Sequence, residues 1–243
     1  SDTNFRLGIG GDRASDQLRW WANYATAFRA PSLNELYYPN WGDPDIEPES
    51  SKGYEIGLWQ GLGEDASVQL VYFHNDFDDL IATIATDDPA YTWGSKAGNI
   101  NNATTEGCEF IYTSQLSDLF SHELSITRMN TWTDSTTPLI RRPEMSGSYR
   151  LAYHDGRTAA AVRVGYTGER WDNDYNGPPW GTGRGLDIWG RYWVVNLEAS
   201  HALTDDGTEL WLRVNNVLDD EYEAVAGYPA PDLHFYGGIK KPL

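Results

Sequence analysis

The chain has 243 residues, 40% of them hydrophobic and 14% aromatic, with 11 Trp and 15 Tyr. Its net charge of −18 and pI near 4.5 repel phosphate backbones and argue against nucleic acid as a partner. One cysteine, Cys108, excludes a disulfide framework, and no apolar run approaches the roughly 18 residues a membrane helix needs.

Period two runs through the chain where helical period is hard to find. It predicts about eleven strands, near 3–10, 17–28, 52–60, 67–79, 104–114, 121–132, 143–153, 158–168, 191–201, 208–217 and 233–240. Each sets an apolar face against a polar or small one. In the second segment Leu18, Trp20, Ala22, Tyr24 and Phe28 oppose Arg19, Asn23 and Ala25. In later ones Val162, Val164, Leu210 and Leu212 form the apolar face, while Arg163, Arg213 and Asn215 are on the polar one. The choice lies between a soluble β protein and a transmembrane β-barrel, in which only every second residue meets lipid.

The connections alternate in length. Those at 12–17, 62–67, 114–121, 154–158 and 203–208 are short. Those at 29–51, about 80–103, 133–142, 169–190 and 218–232 are longer and carry many of the acidic residues, as solvated loops do. Outer-membrane barrels show this asymmetry, with short periplasmic turns and long extracellular loops. Single-chain bacterial barrels use even strand numbers, so about eleven points to part of a larger barrel.

Four segments then stand out. The first is Tyr24-Ala-Thr-Ala-Phe-Arg-Ala-Pro-Ser-Leu-Asn-Glu-Leu-Tyr37, and the second runs from Asp43-Pro-Asp-Ile-Glu-Pro-Glu49 to Tyr54-Glu-Ile-Gly57. The third joins Tyr72–Ile81 to the stretch 99–110, and the fourth is Val214-Asn-Asn-Val-Leu-Asp-Asp-Glu-Tyr222. In content, order and spacing they resemble TonB-dependent outer-membrane receptors of the siderophore and cobalamin type. Pro31, Pro44 and Pro48 lack the N–H a ladder needs, which fits strand ends.

The resemblance implies that residues 1–243 are the C-terminal part of such a receptor's antiparallel barrel, with no plug domain. Family chains carry a plug, about twice as many strands, and usually an aromatic last residue, whereas this one finishes Lys241-Pro242-Leu243. The function implied is TonB-dependent uptake of a metal chelate or cofactor of the siderophore, cobalamin or haem class. The partners implied are outer-membrane lipid, the ligand, the plug and the TonB energy-coupling protein. The location is the outer membrane of a Gram-negative bacterium. A small passive pore or structural barrel, and a soluble β-rich binding protein, are the alternative readings.

Candidate sites cluster in the long connections. Trp41, Trp93, Trp171, Trp180, Trp189 and Tyr228, with Arg184, are placed to capture a planar or chelate ligand; interfacial packing would use the same aromatics. Asp172, Asp174, Asn176 and Gly177 have the opening spacing of a calcium loop, but Gly183 takes the place of the bidentate glutamate. A polar strand–loop junction gives the same spacing, and no cofactor is required. Gly181-Thr-Gly-Arg-Gly185 lacks the strand and helix of a phosphate loop. His74, His122, His154, His201 and His234 have no metal-binding spacing, and no nucleophile motif is present, so no enzyme is expected.

Overall fold

The computed structural model describes residues 3–13, 17–134, 139–174 and 184–241, with Asn101, Asn173, Asp174 and 184–187 described by backbone alone. The elements are β1 (Arg6–Arg13), β2 (Leu18–Arg29), α1 (Leu33–Tyr37), β3 (Glu49–Gly61), β4 (Ala66–Ala85), β5 (Ser95–Ser117), β6 (Phe120–Thr133), β7 (Met145–His154) and β8 (Thr158–Thr167). After them come β9 (Arg170–Asp174), β10 (Arg184–Trp189), β11 (Tyr192–Ala202), β12 (Glu209–Asn215), β13 (Glu223–Val225), β14 (Tyr228–Pro229) and β15 (His234–Lys240). One 11-stranded antiparallel sheet runs β1-β2-β3-β4-β5-β6-β7-β8-β11-β12-β15. Its members are the eleven segments that alternation predicts. β9–β10 and β13–β14 are separate two-stranded hairpins.

The register shows why the pattern folds this way, since residues paired across strands share a face. Trp20, Leu58, Leu70, Phe110 and Ile126 stand opposite one another in turn from β2 to β6. Leu151, Val162, Leu197, Val214 and Phe235 continue the same face from β7 to β15. Leu58, Leu70, Leu210, Leu212 and Ile239 are exposed there, although a water-soluble sheet would bury such a face. The opposite face carries Glu123, Arg150, Arg163 and Asn196 in one row. Elsewhere on it Trp21 donates through Nε1 to Glu55 at 2.6 Å, and Arg19 stands over the Trp59 ring at 5.0 Å. Glu198 lies between Arg150, at 3.4 Å, and Arg213, at 4.0 Å.

Gly107, in the third segment, sits where a side chain cannot. A Cβ there would stand 2.3 Å from the Arg128 carbonyl oxygen and 2.6 Å from the Phe73 ring. The backbone of β6 would have to move to admit it. Gly107→Val is therefore expected to lower stability by about 1–3 kcal/mol, the usual cost of overpacking, and urea-unfolding midpoints in detergent will measure it.

The long connections hold more structure than alternation reveals. The span 80–103, read as a loop, continues the ladder from Leu80↔Ile100 to Ala85↔Ser95, so only 86–94 connects β4 to β5. These strands have 20 and 23 residues, about twice what a tilted spanning strand requires. Beyond the apolar band no lipid enforces period two, yet backbone pairing goes on. Similarly 169–190 contains β9 and β10, and 218–232 contains β13 and β14.

Candidate functional site at the long-loop end

The connections that follow β2 and β4 fold onto one another. Arg29, the last residue of β2, meets Glu49, the first of β3, through Nε at 2.7 Å and Nη2 at 3.0 Å. Its Nη1 donates to both oxygens of Glu35 in α1, at 3.0 and 3.1 Å. Ser32 and Glu35 complete a capping box, the Ser32 hydroxyl accepting from the Glu35 N–H and the Glu35 carboxylate from the Ser32 N–H. Glu49 also accepts from the Ile81 N–H at 2.9 Å, which ties the loop to β4. Lys96 holds Asp43 at 2.6 Å, and this hydrogen bond keeps the Asp43 carboxyl below its ordinary range. Asn99 bridges the carbonyls of Glu47 and Asp79. Under these contacts Ile46, Ile81 and Ala97 make a small core, against which Leu36 and Trp41 pack.

A second cluster joins the connection after β6 to both hairpins. Asp172 of β9 is fully buried. Both its oxygens accept from Arg141 Nε at 3.1 Å, and Oδ2 accepts from the Ala226 N–H at 3.0 Å. Arg141 has φ +59°, a left-handed backbone that costs a non-glycine residue about 1–2 kcal/mol. Its own N–H donates to the Trp171 carbonyl at 2.7 Å. Next to it the buried Arg170 donates to the Gly190 and Glu223 carbonyls and lies 5.3 Å over the Tyr192 ring, which stacks on Tyr222.

The fourth sequence segment reaches this cluster through Tyr222. Asn216 is buried at φ +51°. Its side chain donates to the Asp220 and Pro231 carbonyls and accepts from the Asp220 N–H. Asp219 accepts from the Leu233 N–H. The segment thus turns the chain out of β12 and returns it to β15.

These contacts distribute the candidate residues. Trp41 belongs to the first cluster as a packed wall, while Trp93 is exposed beside Tyr38, 6.2 Å between ring centroids. Trp171 and Tyr228 are exposed on the second cluster. Trp189 is half-buried, its Nε1 shielded and without a hydrogen-bond partner among the described residues. Arg184 and Asp174 are placed by backbone alone, and Trp180 and Asn176 lie outside the described residues. Asp172, first in the calcium spacing, has its oxygens on Arg141 and Ala226. Among the described residues no three His, Cys, Asp or Glu side chains stand together as metal ligands.

The family model described as "TonB dependent receptor-like, beta-barrel" matches residues 1–217. The chain belongs to the TonB-dependent receptor barrels. It is 29% identical over 225 residues to the vitamin B12 transporter BtuB of Vibrio vulnificus, covering 90% of this chain and 33% of that protein. Against the vitamin B12 transporter BtuB of Photobacterium profundum the identity is 27%, over 91% of this chain and 35% of the relative. The chain thus spans about a third of the curated relatives it matches. Among solved structures, the copper transporter OprC superposes with TM-score 0.78 at 18% identity, over 96% of this chain and 39% of that one. The pyoverdine outer-membrane receptor FpvA of Pseudomonas aeruginosa gives 0.73 at 20% identity, over 98% and 36%.

In a TonB-dependent receptor barrel the exposed apolar face is the one that meets lipid, and the face with Arg163, Arg213 and Asn215 lines the lumen. Both clusters stand at the extracellular end, and the short turns are periplasmic. One such turn offers a pH test. Asp155 accepts from the Thr158 and Arg157 N–H groups and the Tyr153 hydroxyl. These bonds, the Thr158 one foremost, hold its pKa down at about 2. A depressed pKa stabilises the fold above the unfolded carboxyl value near 3.9, and the contribution disappears as pH falls toward 2. Hydrogen exchange at the Arg157 and Thr158 amides should therefore lose protection between pH 4 and 2, a change absent in Asp155→Asn.

Proposed function

We propose that this chain is the C-terminal part of the barrel wall of an outer-membrane receptor for TonB-dependent uptake of a metal chelate or cofactor of the siderophore, cobalamin or haem class. The observation that carries the reading is the two-faced wall whose extracellular connections are folded and anchored. A bare pore needs no such rim, while a receptor needs exposed side chains held over its lumen. Trp93, Trp171 and Tyr228 are the described aromatics best placed for ligand contact, with Trp180, and Arg184 and Trp189 at the two ends of β10, as further contributors. Arg163, Arg213 and Asn215 would face a plug, on which TonB pulls from the periplasm. Calcium enters only as a competitor of Arg141 for Asp172.

The test is uptake by the complete receptor in a Gram-negative host lacking its own receptors, using cyanocobalamin, ferripyoverdine and haem as probes. Saturable import of one probe, abolished without TonB, is the expected result. Failure with all three, together with steady ion conductance of the purified receptor in planar bilayers, would favour the passive pore.

A further inference from the structure

We infer that Asp172 and Arg141 are positioning residues for ligand capture, a buried carboxylate and the partly exposed arginine on it, which together hold the hairpins bearing Trp171 and Tyr228 in place over the barrel mouth. The inference rests on the reading of the chain as a ligand receptor. Three segments far apart in sequence converge on one carboxylate: the connection after β6 through Arg141, β9 through Asp172 itself, and the β13–β14 turn through the Ala226 N–H. Arg141 grips β9 twice, at the Asp172 side chain and at the Trp171 carbonyl. The exposed Trp171 indole thus grows from a residue whose own carbonyl and whose following side chain are both held by Arg141. Tyr228 stands two residues beyond Ala226, on a turn whose Gly227 N–H is also held by Glu223.

The burial argues for a role beyond surface decoration. Asp172 and Ala226 are both fully enclosed, although they lie at a loop-rich end where charges are ordinarily solvated. A buried carboxylate persists only where its acceptor sites are satisfied, and here the partners are the neighbouring loops. Arg141 adopts a left-handed backbone to reach it, and such strain survives where surrounding contacts dictate it. Asp172→Asn keeps the shape and removes the charge that holds Arg141. Loosened hairpins would then spend binding free energy on ordering themselves, and affinity would fall without loss of the barrel.

The experiment uses the complete receptor in intact cells and measures concentration-dependent uptake of cyanocobalamin, ferripyoverdine and haem. Chymotrypsin cleavage at the aromatics of the two hairpins is measured in parallel. Asp172→Asn should raise the half-saturating concentration at least tenfold, leave the maximal rate and the amount of assembled receptor unchanged, and open the hairpins to cleavage. Arg141→Lys, which retains the charge beside Asp172, should raise the half-saturating concentration and open the hairpins to cleavage less than Asp172→Asn does. Trp171→Ala should raise the half-saturating concentration while leaving cleavage at Tyr228 as in the wild type. Unchanged cleavage in Asp172→Asn overturns the clamp. New cleavage with unchanged half-saturation shows a brace without a part in capture, and overturns the positioning role. If the wild type imports none of the probes, the receptor reading fails, and the clamp is judged on cleavage alone.

Discussion

Ile126→Arg is expected to abolish barrel assembly, whereas Thr127→Arg, one residue further along β6, is expected to leave the receptor assembled. Ile126 lies between Phe110 and Gly147 on the apolar face, in the row that also holds Leu58 and Leu70. Thr127 stands on the other face between Glu109 and Ser146, where an introduced guanidinium finds a carboxylate and water. An arginine facing lipid at the bilayer midplane costs about 2–4 kcal/mol, a factor of roughly 30 to 800 in the folding equilibrium. The same contrast should appear on β12 between Leu212→Arg and Asn215→Arg. The measurement is the fraction of receptor that reaches the outer membrane and keeps heat-modifiable mobility on gels. Equal recovery of Ile126→Arg and Thr127→Arg would reverse or erase the assigned faces.

Period two is legible because the bilayer imposes it. Every spanning strand must set one face to lipid, so all eleven strands appear in the sequence as alternation. The same cause sets the limit. Past the band, β4 and β5 continue through Leu80–Ala85 and Ser95–Ile100, where both faces meet water or protein and side chains no longer report the pairing. The site was less legible than the wall. Carboxylate spacing drew attention to Asp172, but its partner Arg141 lies 31 positions upstream, and no local pattern connects them. Arg29, Glu35 and Glu49 lie inside recognisable segments, yet their joint contact depends on α1 folding back toward β3. Trp41 reads from sequence like the other loop aromatics. Its packing against Ile46, Ile81 and Ala97 follows from long-range closure of the loop onto β5.

Expressed as these 243 residues, the chain is expected to require detergent, to self-associate and to lack high-affinity uptake. In the sheet order β1 and β15 stand at the two ends, each paired on one side only. An edge strand presents a row of unpaired N–H and C=O groups, and each costs several kcal/mol where no water reaches it. Over strands of eight and seven residues this penalty exceeds the roughly 5–15 kcal/mol that stabilises an ordinary domain, so an open sheet cannot remain in the bilayer. Re-closing β1 on β15 would shrink the barrel and alter tilt and shear together, and rows such as Trp20–Leu58–Leu70–Phe110–Ile126 would no longer lie level with the lipid. Pairing with further strands, as in the proposed complete barrel, removes both edges without moving any row. Light scattering after size-exclusion chromatography, with and without detergent, decides the matter. Detergent-bound oligomers or aggregate are the expected result. A monodisperse monomer in plain buffer would mean that the exposed apolar face is covered by some rearrangement of the sheet, and would restore the soluble binding protein as the better account of this chain.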